Sequence, residues 1–135
     1  MGDQAPRTLT YRAQALAVAT AGNDLSTAVK VTETGTVSSV SYAPVAALSG
    51  ANTNSRTLNL INKGQDGSGS TVVATLALVS GVNLVAFDEK AITLSVVANA
   101  TNVTAGDILQ WQSLHVGTGI TYPGGEVEVQ VARSA

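Results

Sequence analysis

The sequence predicts an all-β fold: an antiparallel sandwich of jelly-roll or immunoglobulin-like type, with about eight strands and an extended N-terminal arm. Two observations predict it. Apolar and polar residues alternate over short windows, and clusters of Gly, Asn and Ser separate those windows at short intervals. The composition fits the same class. Hydrophobic residues make up 44% of the 135 residues and aromatics only 4%, so Val, Leu, Ile and Ala must fill the core. A chain of this length is expected to fold as a single domain over residues 1–135, burying roughly two thirds of the surface exposed when unfolded.

The elements follow in chain order. Met1–Pro6 is polar and leads into Arg7, and residues 1–7 are expected to form the arm. Arg7 and Arg12 precede Ala13–Ala19, which superficially imitates a signal peptide. The apolar stretch is short, and the segment reads as a strand, with a helix over Ala13–Ala21 as the weaker alternative. Strands are expected over Thr36–Leu48 and at Arg56-Thr57-Leu58-Asn59-Leu60. Thr71–Val79 is apolar at both parities, as in a central strand covered on each side. The glycine-rich stretch Lys63–Ser70 between the last two makes them a long-looped hairpin. Asp88 and Glu89 mark a turn before Lys90, and Ala91–Val97 forms a further strand.

Thr104-Ala105-Gly106-Asp107 is a turn into a strand over Asp107–Val116, in which Leu109 and Trp111 face inward and Gln110 and Gln112 outward. Glu126-Val127-Glu128-Val129-Gln130-Val131 is the clearest alternation, with three valines on one face. Joined through Thr118–Gly125, these two strands are expected to pair and form a polar, nearly uncharged face.

Charge and motifs narrow the function. Charged residues are 12%, about half the usual share, and the net charge is −2 with no basic cluster, which argues against nucleic acid as partner. No apolar run is long enough to span a bilayer as a helix, so no membrane partner is expected. Cysteine is absent, which removes disulfides and thiolate metal sites. Glu126 and Glu128 sit two apart on a strand, near the separation of an inverting glycosidase pair, but nothing around them would desolvate one carboxyl. They read as a solvated face.

His115 is the single histidine, and no Gly-x-Ser-x-Gly elbow places a nucleophile beside it. Asp24, Asp66 and Asp107 lack calcium-loop spacing and read as turn caps. Gly64–Ser70 carries Gly-x-x-Gly-x-Gly without a following Lys-Ser or Lys-Thr, which is not a phosphate cradle. The glycosylation patterns at Asn99 and Asn102 are the chance matches of an Asn- and Thr-rich chain. The expectation is a protein with no enzymatic activity and no cofactor, acting by adhesion. Trp111 reads as core, although with Tyr122 it would suit a sugar-stacking platform.

Arg56–Gly64, Val72–Leu76, Ala86–Leu94, Val103–Leu109 and Pro123–Val129 carry a resemblance, over residues 56–132, to small virion proteins of tailed bacteriophages. The likeness is strongest to head decoration, or capsid cement, proteins. That resemblance implies a β-rich subunit on the outer capsid surface, bracing the shell where its subunits meet. The implied partners are the major capsid protein and further copies of itself, often as a homotrimer, assembled in the host cytoplasm and residing in the virion. Expected partner-contacting residues are Gly2, Asp3, Gln4 and Arg7 of the arm, Gln65 and Asp66 in the glycine-rich loop, and Tyr122 in the last loop. The alternatives are a carbohydrate- or receptor-binding module and a tail structural protein.

Overall fold

The computed structural model describes residues 7–133, so the expected arm residues Gly2, Asp3 and Gln4 lie outside the described residues. The alternating segments pair as two antiparallel sheets built from ten strands. These are β1 (Thr8–Ala15), β2 (Asp24–Lys30), β3 (Gly35–Pro44), β4 (Ser55–Asn62), β5 (Thr71–Ala77), β6 (Lys90–Ala91), β7 (Thr93–Leu94), β8 (Asn102–Val103), β9 (Ile108–Val116) and β10 (Gly125–Arg133). One sheet runs β1-β10-β3-β6, with β8 also on β3; the other runs β2-β9-β4-β5-β7. First and last strands are neighbours, the second pairs with the penultimate, and the chain crosses repeatedly between sheets. That order is a jelly roll, the first of the two sandwich types expected.

Period-two patterning explains which side of each strand is buried. Val127, Val129 and Val131 of β10 point inward, opposite Leu58 and Leu60 of β4 and Leu109 and Trp111 of β9, and all belong to one core cluster. Trp111 is core, as its strand position predicts. The β4–β5 hairpin forms around the Lys63–Ser70 loop as expected. The three aspartates cap turns. Asp24 accepts from the Ser26 N–H at 3.1 Å, Asp66 from the Ser68 N–H at 3.0 Å and Asp107 from the Thr104 N–H at 2.9 Å.

Three expectations change, and one alternative drops out. β9 and β10 do not pair: β9 lies between β2 and β4, and β10 between β1 and β3, in the opposite sheet. The 117–124 connection therefore spans the sandwich instead of turning a hairpin. Second, β5 is not a covered central strand. Its outer neighbour is only the two-residue β7, and Val72, Thr75 and Ala77 are exposed. Third, the strand expected over Ala91–Val97 is split. β6 pairs with β3 in one sheet and β7 with β5 in the other, with buried Ile92 between them. Finally, the helix alternative over Ala13–Ala21 is not realised, since β1 ends at Ala15 and a turn follows at Thr20-Ala21.

Loops gather at two poles. At one, Glu33 receives the guanidinium of Arg7 at 3.1 Å and that of Arg133 at 3.2 Å, and the Arg133 N–H donates to the Arg7 carbonyl. Desolvation pushes the Glu33 carboxyl up, but the bonds and charges of Arg7 and Arg133 outweigh it and hold the group below the ordinary value. Leu60, buried on the central strand β4, tests the core. Leu60→Ala should cost about 2–5 kcal/mol in chemical denaturation without changing the strand signal in circular dichroism.

Candidate docking pole

At the opposite pole four connections meet, residues 16–23, 45–54, 78–89 and 117–124; they are bridged within two pairs, and the Thr118 N–H links the pairs by donating to Asn54 Oδ1 at 3.0 Å. Leu48 and Leu84 form a backbone bridge that ties 45–54 to 78–89. The Gly50 N–H donates to Asn83 Oδ1 at 2.8 Å and the Ser80 N–H to Asn52 Oδ1 at 3.0 Å. Gly50 is required there, since a Cβ would stand 2.1 Å from the Val79 carbonyl oxygen. The other pair, 16–23 and 117–124, is bridged at Val18 and Tyr122.

That second pair is held by a buried arginine. The alternation that turns Leu58 and Leu60 inward also turns Arg56 inward, and its side chain is fully buried. Its Nε donates to the Ile120 carbonyl at 2.6 Å, Nη1 to the Gly22 carbonyl at 2.9 Å and Nη2 to the Ala19 carbonyl at 2.8 Å. Nη1 also reaches Ser113 Oγ at 3.2 Å, and the guanidinium carbon lies 5.4 Å from the centre of the Tyr122 ring. Burial lowers the pKa of Arg56, and the negative ends of Tyr122, Asp24 and Tyr42 act against that. Gly119, at φ 75°, completes the junction, where a Cβ would lie 2.1 Å from the Thr20 carbonyl oxygen.

Tyr122 is consequently not a surface residue, and the expectation that it contacts a partner is corrected. The ring is fully buried, stacked 5.8 Å from Tyr42, and its hydroxyl accepts from Trp111 Nε1 at 3.1 Å. The Tyr42 hydroxyl donates to the Gly124 carbonyl. Burial of both Trp111 and Tyr122 also removes the sugar-stacking platform that the sequence allowed. The remaining expected contacts among the described residues, Arg7, Gln65 and Asp66, lie at the other pole. Arg7 is exposed but engaged with Glu33, Asp66 and Gln65 are exposed in the β4–β5 loop, and Gln65 Nε2 donates to the Ala105 carbonyl at 3.3 Å. Arg7, Gln65 and Asp66 thus share a pole, and Tyr122 does not.

This pole displays apolar side chains that sequence reasoning missed. Phe87, the chain's one phenylalanine, is 78% exposed, with Val85 at 57% and Val45 at 50%. Phe87 has φ 60°, a conformation that costs of order 1–3 kcal/mol in a non-glycine residue. Its N–H donates to the Pro44 carbonyl at 2.7 Å, and the Asp88 N–H closes the turn on the Val85 carbonyl at 3.1 Å. Beside Val45 an open groove of about 380 Å³ is lined by Arg12, Ala13, Gln14, Gly125 and Glu126. Arg12 meets Glu128 at 3.1 Å and Glu126 at 3.9 Å, so this carboxylate pair is a surface ion-pair cluster.

The outer face of the β2-β9-β4-β5-β7 sheet carries a hydrogen-bonded row of uncharged side chains, with Lys30 at its β2 end. Gln110 Nε2 donates to the Leu25 carbonyl at 2.7 Å and Gln112 Nε2 to Gln110 Oε1 at 2.8 Å. Asn59 Nδ2 reaches Gln112 Oε1 at 3.5 Å, and the Thr75 hydroxyl donates to Asn59 Oδ1 at 2.6 Å. The chain of amides crosses four strands. Among the described residues no cluster of three or more His, Asp and Glu could hold a metal ion. His115 is exposed at the end of β9 with Nδ1 3.1 Å from the Gly117 carbonyl oxygen.

Compared with known proteins, the chain matches no family model, no curated protein and no solved structure.

Two outcomes test the brace. Arg56→Met retains the apolar stem but leaves the Ala19, Gly22 and Ile120 carbonyls without their donor. It should cost about 3 kcal/mol in urea denaturation and speed amide exchange in 17–23 and 117–124. The tyrosines give an alkaline signature. Desolvation pushes Tyr122 from 10.0 up to about 12, and desolvation together with the nearby Tyr122 raises Tyr42 as well. A raised folded-state pKa means that the stabilisation is complete below the unfolded value of 10.0 and lost as pH climbs through about 12. Stability should fall by about 1.4 kcal/mol per pH unit per tyrosine in that window, with phenolate absorbance from both rings appearing together with unfolding.

Proposed function

We propose that this protein is a structural virion subunit that binds the outer surface of a bacteriophage capsid and stabilises it, docking through the pole that carries Phe87. The observation that carries this reading is Phe87 itself. A large aromatic ring held out of the core on a costly backbone conformation, flanked by exposed Val45 and Val85, is the form of an interface anchor. The resemblance of residues 56–132 to decoration proteins supplies the partner class. Sparse charge and a hydroxyl- and amide-rich exterior favour broad, neutral contact over reaction chemistry. Jelly rolls serve in viral shells and also in lectins, so the fold fits the reading without selecting it.

The mechanism is adhesion repeated over a lattice. Each contact is modest, and many capsid sites engaged together give a stable shell. Phe87→Ser combined with Val85→Ser should weaken binding to capsids stripped of this protein by at least ~10-fold in co-sedimentation, while the melting temperature stays within a few degrees. Unchanged binding by that double variant defeats the assignment of the pole. Raising the salt concentration should alter the affinity of the unmodified protein by less than ~3-fold, because the anchoring side chains Phe87, Val85 and Val45 are uncharged.

A further inference from the structure

The geometry points to the free edge of β1 as a self-pairing strand that joins two copies of this chain into one continuous sheet. β1 is the outermost strand of its sheet and pairs with β10 without a register break. Because the Arg133 N–H donates to the Arg7 carbonyl, the odd-numbered residues of β1 direct their N–H and C=O groups toward β10. The even-numbered residues, Thr8, Thr10, Arg12 and Gln14, direct theirs outward. Only the Gln14 carbonyl is taken up by its own chain among the described residues, by the Thr27 hydroxyl at 3.0 Å.

Edges of this kind are ordinarily blunted by a proline, a bulge, a lysine or a covering loop. The opposite side of the same sheet follows that rule, since β6, β8 and the segment between them cover β3, down to the Ile92 N–H on the Val40 carbonyl and the Val37 N–H on the Thr101 carbonyl. Among the described residues β1, TLTYRAQA, has no proline, bulge, lysine or covering loop; its one charged side chain, Arg12, is paired with Glu128 of its own chain, and Thr8, Thr10 and Tyr11 favour strands.

The open stretch selects its occupant. At one end it stops where Thr27 occupies Gln14; at the other, the next even position, Pro6, has no N–H to donate. Thr8, Thr10 and Arg12 remain, with Thr10 at the centre. A second β1 laid antiparallel about a two-fold axis at Thr10 pairs Thr10 with Thr10 and Thr8 with Arg12 in both directions. All three outward residues on each copy are satisfied, and no like charges stand opposite each other. Each Arg12 keeps its own Glu128. The joined sheet then runs β6-β3-β10-β1 and back through the second copy in reverse order. This contact is independent of the capsid reading, and its two-fold symmetry differs from the three-fold grouping that the family resemblance implies.

Thr10→Pro removes one outward N–H and leaves the β10 ladder intact, a substitution that edge strands tolerate. Light scattering on the full chain should give twice the 13.6 kDa chain mass at high concentration. The variant should give the single mass with unchanged circular dichroism and melting. Amide exchange on the unmodified protein provides the same reading without a variant: the N–H groups of Thr8, Thr10 and Arg12 should slow at least ~10-fold as concentration rises. A single or threefold mass at every concentration, a doubled mass that survives Thr10→Pro, or protection of these amides only when capsid shells are added would each overturn the pairing. Only the last of these outcomes bears on the Phe87 pole; the two mass outcomes leave it untouched, so the two ideas fail separately.

Discussion

A guanidinium buried in a sandwich of valines and leucines must find acceptors, and Arg56 finds them in the backbone of two loops. No ion pair engages it among the described residues; carbonyls of Ala19, Gly22 and Ile120 take its donors instead. A charge left without partners in such a place would cost several kcal/mol, so folding the core and fixing the loops are a single event. Leu58 and Leu60 draw Arg56 inward with β4, and Arg56 then draws 16–23 and 117–124 onto the end of the sandwich. The Tyr42, Trp111 and Tyr122 rings fill the space beneath, with each polar tip bonded.

This arrangement separates the part of the pole held by a buried guanidinium from the part that exposes apolar side chains. The loop pair under Arg56 is braced by side-chain donors, whereas the pair 45–54 and 78–89 is braced by backbone and asparagine contacts and carries Phe87 and its valines. The Phe87 turn is closed by its own N–H on the Pro44 carbonyl and by the Asp88 N–H on the Val85 carbonyl, which limits the entropy lost if that ring is immobilised against another protein. The neutral amide chain on the outer sheet face has a different character. Its groups already satisfy one another, so water or a partner can cover it with little change in hydrogen bonding.

The strand class was legible because alternation needs only the identity of neighbouring residues. β10, the β4–β5 hairpin, the inward Trp111 and the aspartate caps all follow from local pattern. Strand neighbours do not. Nothing local in Glu126–Val131 distinguishes pairing with β9 from pairing with β1 and β3, because that choice depends on whether 117–124 turns or crosses. β2 escaped notice because two of its inward positions are the polar Asp24 and Thr27, satisfied by Leu16, Ser26 and the Gln14 carbonyl. Arg56 left a readable trace, as a charged residue in phase with Leu58 and Leu60. The exposed Phe87 left none, since an isolated aromatic between Ala86 and Asp88 suits a core position as well as a loop.

The clamp at the other pole has a practical geometric meaning. Arg7 and Arg133, bonded backbone to backbone and both held by Glu33, set the two ends of the folded body side by side, a full strand length from Phe87. The clamp therefore faces away from the loops that expose Phe87. The molecule thus has two unlike ends, one closed by ion pairs and the other exposing apolar side chains.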